Sequence, residues 1–520
     1  MPKRTLFAVT ARPARARRQA LPWHRGRWRP MPALALASTL ALSLNATTAQ
    51  AQYLDQGTLL DQPRELNLPS LMSTGSNAIS GEETRLGRAW LRQFRAHVPE
   101  WRDPLAQHYV ETLVGRLVPY SDLGGINTTI TLVDNKTLNA FAVPGGVVGV
   151  NTGLFAFADQ EAEVASVLAH ELGHLSQRHY ARSKARAEQT QVPAMATMLA
   201  GLILAASGAG DAGIAALAGS QAAMIQDQLR YSRRYEEEAD RIGLQAMASA
   251  GYEPQAMVDM FRSMQRLMSL QGGTPPEFLL THPITESRIS DTQARVNQTR
   301  VTGSAPDELQ YQFIRARALL AIHERAPSQA MTVMRQDQAP ADAQRYLQAL
   351  IDARAGQTGS ALNTLDGLAR AHPDTALLPA SAVQVALEGG RVDEAIERAR
   401  RQLRLMPGYP PTSQLLGEAL LQRDPDAAYR ELHELAQRRP EDPTVFGLLA
   451  EAAGRSGREA WGHLARAEQL QLTGEIDRAI RQLEVAEAMA EREGDLNARS
   501  SIQRRRDAFL DYRRTMEKFR

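Results

Sequence analysis

His170, Glu171 and His174 have the residue types and the spacing of a zinc hydrolase site. In a helix, a step of four residues returns to nearly the same face, so both imidazoles can bind one metal ion. Glu171 lies beside them, where its carboxylate can act as a general base toward water on that ion. The pattern therefore predicts a zinc-dependent peptide hydrolase with one zinc ion per chain.

A catalytic zinc ion needs a third protein ligand. The position that would supply a third histidine in metzincins is Tyr180, so the ligand must come from elsewhere in the chain. Glu236 and Asp240 are four residues apart on a second predicted helix. One of them can bind the metal while the other accepts the free N–H of a metal-binding histidine. Helical periodicity alone leaves the three carboxylates of residues 236–238 as alternatives.

Two further histidines lie near this pattern. His179 is about 180° around the predicted helix from His170, so we expect it to point away from the metal, in a surface or second-layer role. His282 precedes Pro283 on a loop after the second helix. It is either a turn residue or a fourth zinc contact. As a zinc contact it would exclude water from the metal, which would make it a regulatory switch.

The elements that must position these residues are mostly helical. Helical periodicity covers residues 82–120, 161–184 and 226–250, and β-type patterns cover 126–133 and 139–151. These features predict an α+β zincin-type peptidase domain, mainly α with a small β-sheet. The strand pattern at 139–146 predicts either an edge that binds an extended peptide as an added strand, or a core strand and turn.

The C-terminal part has a different pattern. Prolines recur at intervals of 33, 34 and 33 residues, and alanines at intervals of 34 and 33. The prolines are Pro340, Pro373, Pro407 and Pro440, and the alanines are Ala361, Ala395 and Ala428. This period is typical of tetratricopeptide repeats, so residues 303–520 are predicted to form an α-solenoid.

The N-terminal sequence indicates export. Residues 1–51 contain nine basic and no acidic residues, then an apolar run and Ala49-Gln50-Ala51, as in a cleavable signal peptide. An uncleaved anchor is the alternative. Without this leader the net charge changes from +2 to about −7, which argues against nucleic-acid binding. Residues 52–80 are predicted to be an extended arm of the peptidase domain, which would span 52–302.

Residues 192–223 are apolar and rich in glycine and alanine. The predicted alternatives are a helix packed on the core, a mobile lid or segment in peripheral contact with a membrane, and a transmembrane helix. The chain has no cysteine, so a metal site must use histidines and carboxylates.

Together, His170-Glu171-Leu172-Gly173-His174 and Glu236 to Asp240 resemble the gluzincin peptidases related to HtpX and the CAAX prenyl protease. The resemblance implies that Glu236 is the third zinc ligand and that Asp240 supports the catalytic site. Residues 139–153 and Thr281-His282-Pro283 are similar to a periplasmic subgroup with tetratricopeptide repeats. That similarity implies an endopeptidase with a chaperone-like role. It would degrade or assist stalled outer-membrane β-barrel proteins, contact the barrel assembly machinery through its repeats, and use His282 as an inhibitory zinc contact. The alternative is a repeat-domain chaperone or adaptor with a gated or structural zinc site.

Overall fold

The computed structural model describes most of the chain after residue 80. The described residues are 81–123, 127–189, 225–270, 276–304 and 306–517. All of them belong to one compact unit, Ser70–Arg520. The predicted signal peptide, the arm at 52–80 and the segment 192–223 lie outside the described residues. No helix within the described ranges is both long enough and apolar enough to cross a membrane.

Helices dominate the N-terminal part of the described chain, as predicted. They are α1 (Gly81–His97), α2 (Pro104–Leu117), α3 (Thr152–Phe157), α4 (Glu161–Ser176), α5 (His179–Gln189), α6 (Ile225–Ser249), α7 (Gln255–Leu270), α8 (Glu277–Thr281) and α9 (Glu286–Val296). A 3-10 turn at Val118–Tyr120 follows α2. Helix α6 ends before Gly251, whose φ of 95° suits glycine.

A three-stranded sheet lies between α2 and α3 in the chain. Its strands are β1 (Thr129–Val133), β2 (Ala140–Val143) and β3 (Val147–Asn151), in the order β1-β3-β2. Strand β1 runs parallel to β3, whereas β2 and β3 form an antiparallel hairpin. Gly145 and Gly146 turn this hairpin with φ angles of 88° and 81°. The predicted small sheet is confirmed, and β2 is one of its two edges.

The C-terminal part is a series of helices, α10 to α21. They are Glu308–Ile322, Pro327–Gln336, Ala341–Arg354, Thr358–Ala371, Leu377–Glu388, Val392–Leu405, Pro410–Leu421, Pro425–Arg438, Pro443–Arg455, Glu459–Leu472, Ile476–Glu493 and Leu496–Met516. The recurrent prolines lie just before α12, α14, α16 and α18, the first helices of successive pairs. The recurrent alanines lie in the second helices and are fully buried. The predicted helical-repeat architecture is confirmed.

Charged side chains connect the repeats to the N-terminal helices. Arg439, after α17, makes two hydrogen bonds to Glu111 on α2, at 2.6 and 2.8 Å. Arg317 on α10 donates to Asp103 at 2.7 Å. Arg92 on α1 is buried and its guanidinium lies 4.2 Å from the Tyr512 ring on α21. The predicted domain boundary near residue 302 falls between α9 and α10 and stays a prediction.

Candidate active site

Helix α4 carries the first three predicted site residues. Its first turn is capped by the Glu163 carboxylate, which accepts the backbone N–H groups of Asp159 and Gln160 at 2.7 and 3.3 Å. His170 and Glu171 are buried, with 1% and 2% of their surface exposed. The helix thus holds two chemically active side chains inside the protein, where charge interactions are strong.

Helices α4 and α6 cross closely because glycine stands on each at the crossing. A Cβ atom on Gly173 would lie 2.8 Å from the Ala239 carbonyl oxygen, and one on Gly243 would lie 2.9 Å from the backbone nitrogen of His170. Both distances are shorter than a real Cβ contact allows. The two glycines therefore let the imidazoles of α4 meet the carboxylates of α6.

Four side chains from three segments converge at this crossing: His170, His174, Glu236 and His282. His170 Nε2 is 3.0 Å from His174 Nε2 and 3.3 Å from Glu236 Oε2. Glu236 Oε1 is 3.4 Å from His174 Nε2 and 3.1 Å from His282 Nδ1. His282 Nδ1 is 3.3 Å from His170 Nε2. Each side chain therefore offers one ligand atom to a common centre.

These separations suit a tetrahedral ion. Zinc–nitrogen distances of 2.0–2.1 Å place tetrahedral ligand atoms about 3.3 Å apart. Five separations around the cluster lie between 3.0 and 3.4 Å. Burial lowers the pKa of His174 well below its usual 6.5, which leaves a nitrogen lone pair available to a metal ion. The residues fit a metal site.

Asp240 lies behind His170, on the side away from the cluster. Its Oδ1 is 2.8 Å from His170 Nδ1, and its carboxylate accepts two hydrogen bonds from Arg288 at 2.7 and 2.8 Å. Burial alone would raise the pKa of Asp240, but the Arg288 charge holds it below its usual range. Asp240 therefore stays ionised and can orient the His170 ring. A metal-binding histidine commonly has such a carboxylate beside its second ring nitrogen.

Glu171 faces the cluster but is not part of it. The backbone N–H of Ala142, on edge strand β2, donates to its carboxylate, and burial raises the pKa of that carboxyl group. Glu171 Oε1 has no hydrogen-bond partner among the described residues. A buried carboxylate with a raised pKa and a free oxygen suits a general base.

Known proteins resemble this chain over most of its length. The profile of Peptidase family M48 matches residues 104–296. The Beta-barrel assembly-enhancing protease of Yersinia pestis is 33% identical over 467 residues, which are 88% of this chain and 94% of that protein. The protein of the same name from Escherichia coli (strain K12) is 32% identical over 454 residues, 86% of this chain and 90% of its own. The chain belongs to peptidase family M48.

The resemblance inferred from the motifs is therefore confirmed, and the chain is a metalloendopeptidase. A match over a shorter part of the chain is also named as a metalloendopeptidase. The Mitochondrial metalloendopeptidase OMA1 of Arabidopsis thaliana is 30% identical over 225 residues, 41% of this chain and 39% of that protein. In this M48 peptidase His170, His174, Glu236 and His282 converge so that each could give one ligand atom to a metal ion.

The structure separates the three adjacent glutamates of the M48 peptidase. Glu236 is buried in the metal cluster, Glu237 is exposed, and Glu238 points toward α5. Periodicity alone could not distinguish them, because all three belong to one helical turn. The family resemblance singled out Glu236, which is the one that lies in the cluster.

Of the two roles predicted for His179, surface or second layer, the structure shows the second: His179 is outside the ligand cluster, but it contacts His174 and does not point away from the site. The predicted helix over 161–184 is interrupted after Ser176, and Arg178 adopts a left-handed φ of 51°. The chain restarts a helix at His179, whose Nδ1 lies 2.8 Å from His174 Nδ1. Burial lowers the pKa of His179 to about 4, so its ring is neutral near pH 7. His179 therefore lies directly behind a metal-site histidine.

Two residues of the site carried no clear signal in the sequence. Arg288 on α9 contacts Asp240, forms an ion pair with Glu236 at 3.0 Å and donates a hydrogen bond to the Pro283 carbonyl at 2.9 Å. Glu277 on α8 accepts hydrogen bonds from Thr137 and Asn139 at 3.0 and 3.4 Å. The Arg288 contacts connect the His282 segment to α6, and the Glu277 contacts connect it to the residues just before β2. Sequence spacing could not indicate either connection.

Proposed function

We propose that this chain is a periplasmic zinc metalloendopeptidase that degrades, or assists the assembly of, stalled outer-membrane β-barrel proteins. One zinc ion per chain would be held by His170, His174 and Glu236. The observation that carries the proposal is the convergence of one ligand atom each from His170, His174, Glu236 and His282 beside the buried carboxylate of Glu171. Two imidazoles and a carboxylate are a common ligand set for catalytic zinc.

Bound zinc would lower the pKa of its water and polarise the scissile carbonyl. Glu171 accepts the proton of the attacking water on a carboxylate oxygen and returns it to the leaving amine. Burial raises the pKa of Glu171, which makes its carboxylate a better proton acceptor than an exposed one. Asp240 keeps His170 oriented while this happens.

His282 represents a closed, resting state in this proposal. With its Nδ1 among the three other ligand atoms, the cluster has four protein ligands and no position for water. Substrate would displace His282, which lies on a short segment between α8 and α9. His282 is therefore a switch and not part of the open catalytic ligand set.

Strand β2 supports a peptide substrate. It is a sheet edge, and the N–H of its residue Ala142 reaches Glu171. An extended peptide added to this edge would pass close to the base, and main-chain pairing would make the binding weakly sequence-selective. Unfolded barrel proteins have many unpaired strands of this kind. Two relatives are named for barrel assembly enhancement, which supports this substrate class.

The repeats would supply a second surface for partners, including the barrel assembly machinery. The closed four-ligand cluster also favours a second candidate, a chaperone or adaptor whose zinc is structural or gated. Under that alternative, cleavage by the purified protein does not depend on Glu171, and removing His282 does not increase it.

The test is Glu171→Gln in the full-length chain. The variant should keep one equivalent of zinc, while cleavage of casein or of an unfolded barrel protein falls by at least about 100-fold. Glu237→Gln is the matched control, since Glu237 is exposed on α6 and should leave zinc content and cleavage unchanged. Cleavage that persists in Glu171→Gln would contradict the proposed mechanism.

A further inference from the structure

The side of His174 that faces away from the metal site leads into a second set of contacts. His174 Nδ1 is 2.8 Å from His179 Nδ1, and His179 Nε2 is 3.2 Å from Glu238 Oε2. Glu238 also accepts a hydrogen bond from Arg182 at 2.9 Å. His179 is 5% exposed, so water does not replace these contacts. The four side chains form a continuous series from the metal site to the protein surface.

The distances assign the protons in this series. Two ring nitrogens at 2.8 Å need one hydrogen between them. His174 directs the lone pair of Nε2 into the cluster, so its proton is on Nδ1 and is donated to His179 Nδ1. His179 then has its own proton on Nε2 and donates it to Glu238. Each nitrogen then has a single role.

The His179 ring is itself held in place. Tyr235 on α6 stacks on it, with 4.3 Å between ring centroids and 20° between ring planes. The Arg182 guanidinium in turn lies 4.7 Å from the centre of the Tyr235 ring. Because α5 starts at His179, the break after α4 sets the ring at this place. A ring held by stacking on one face can orient its neighbour.

We propose that His179 is a positioning residue that accepts the Nδ1 hydrogen of His174 and, supported by Glu238, fixes the orientation of this metal ligand. The proposal rests on the proposed metallopeptidase function. It gives the two histidines of α4 different supports: His170 donates to an aspartate that Arg288 neutralises, and His174 donates to a neutral imidazole. Such supports make a ligand more basic and define its tautomer.

Two substitutions at His179 separate positioning from packing. His179→Phe keeps an aromatic ring against Tyr235 but has no nitrogen to accept from His174. His179→Asn loses the ring but places an amide oxygen near the position of Nδ1. We expect His179→Phe to weaken zinc binding about 10- to 100-fold and His179→Asn to change it by less than about threefold.

The measurement is the zinc dissociation constant of the full-length protein, obtained by competition with a chromophoric chelator. The visible absorption of the Co²⁺-substituted protein gives a second readout that is independent of activity. We expect His179→Phe to alter the intensity and position of the Co²⁺ bands, and His179→Asn to restore them. Thermal unfolding of the metal-free variants checks that both proteins fold.

The opposite order of effects would overturn the proposal. If His179→Asn weakens zinc binding and His179→Phe does not, the ring acts only by packing. If both variants bind zinc like the parent, His179 has no positioning role, although the metallopeptidase proposal stands. If the parent protein binds no stoichiometric zinc, the proposed function fails, and the role of His179 fails with it.

Glu238 gives an independent check from the outer end of the series. Its side chain is 28% exposed, so Glu238→Leu should fold. We expect the variant to weaken zinc binding less than His179→Phe does, because the first hydrogen bond remains. The combined loss in the double variant should be smaller than the product of the single losses, since both act on His174. Fully independent effects would contradict the series.

Discussion

The imidazole of His282 lies against the carboxylate of Glu171, with 3.4 Å between Nε2 and Oε1. Nδ1 of the same ring is 3.1 Å from Glu236. One side chain therefore covers both the metal position and the candidate base. Movement of the segment between α8 and α9 would free the two together, which gives this protease a mechanical means of control.

Removing this ring should activate the enzyme. We expect His282→Ala to increase cleavage of casein about tenfold, equivalent to the loss of about 1.4 kcal/mol of stabilisation of the closed state. Zinc should remain bound by the other three ligands. Leu280→Ala is the matched control, because Leu280 lies on α8 two residues before His282 and is 42% exposed. An unchanged or lower rate with normal zinc content would show that His282 does not restrain the enzyme.

Glu277 should help to hold the segment closed. Its carboxylate accepts hydrogen bonds from Thr137 and Asn139, just before β2. We expect Glu277→Ala to increase cleavage about threefold by releasing one to two such contacts, and Thr137→Val to have a smaller effect in the same direction. The double variant should resemble Glu277→Ala alone, because both changes remove the same contact.

Glu286→Ala is the control for that experiment. Glu286 starts α9 and contacts Gln265, away from the strand. Its substitution should leave the cleavage rate within about 1.5-fold of the parent, as is usual for an exposed position. Equal activation by Glu286→Ala and Glu277→Ala would indicate general loosening of the segment and not release of a specific contact.

Gly243 should be essential for the approach of α6 to the metal-site histidines. A Cβ there would lie 2.9 Å from the backbone nitrogen of His170, so Gly243→Ala must push α4 and α6 apart. We expect a loss of about 1–3 kcal/mol in the free energy of unfolding and weaker zinc binding. Gly115→Ala, in α2 with no atom within 4 Å of the new Cβ, should instead stabilise by about 0.5–1 kcal/mol. Urea unfolding and chelator competition measure both effects, and equal stabilities of the two variants would contradict the close crossing.

The ion pair between Glu111 and Arg439 should make attachment of the repeats depend on pH. Burial alone would raise the pKa of Glu111, but hydrogen bonds and the charge of Arg439 lower it below 4.5. A carboxylate with a lowered folded-state pKa contributes stability above its unfolded-state pKa, and this is lost as the pH falls through the folded-state value. We expect Glu111→Gln to cost about 2 kcal/mol at pH 7 and less at pH 3.

Urea unfolding of parent and variant at both pH values tests this sign. Asp426→Asn is the control, because its partner Arg458 lies on an exposed surface, with side-chain exposures of 36% and 58%. That variant should lose less than about 0.5 kcal/mol at either pH. A Glu111→Gln loss of equal size at pH 3 and pH 7 would mean that shape, and not charge, holds the two parts together.

Features set by local spacing could be predicted from the sequence. The pair His170 and His174 needs only helical periodicity to share a face, and recurrent prolines and alanines need only a repeat period. The small sheet was likewise visible in the β-type patterns of residues 126–133 and 139–151. The chemistry of the site and the order of its elements follow from such local patterns.

The approach of distant segments depended on the tertiary structure. His282 is 112 positions from His170 and meets it only because α8 is anchored at β2 and α9 at α6. His179 reaches His174 through a helix break that periodicity cannot detect. Side-chain spacing determines which groups share one element. Packing of separate elements, through glycine contacts and buried ion pairs, determined which of those groups meet.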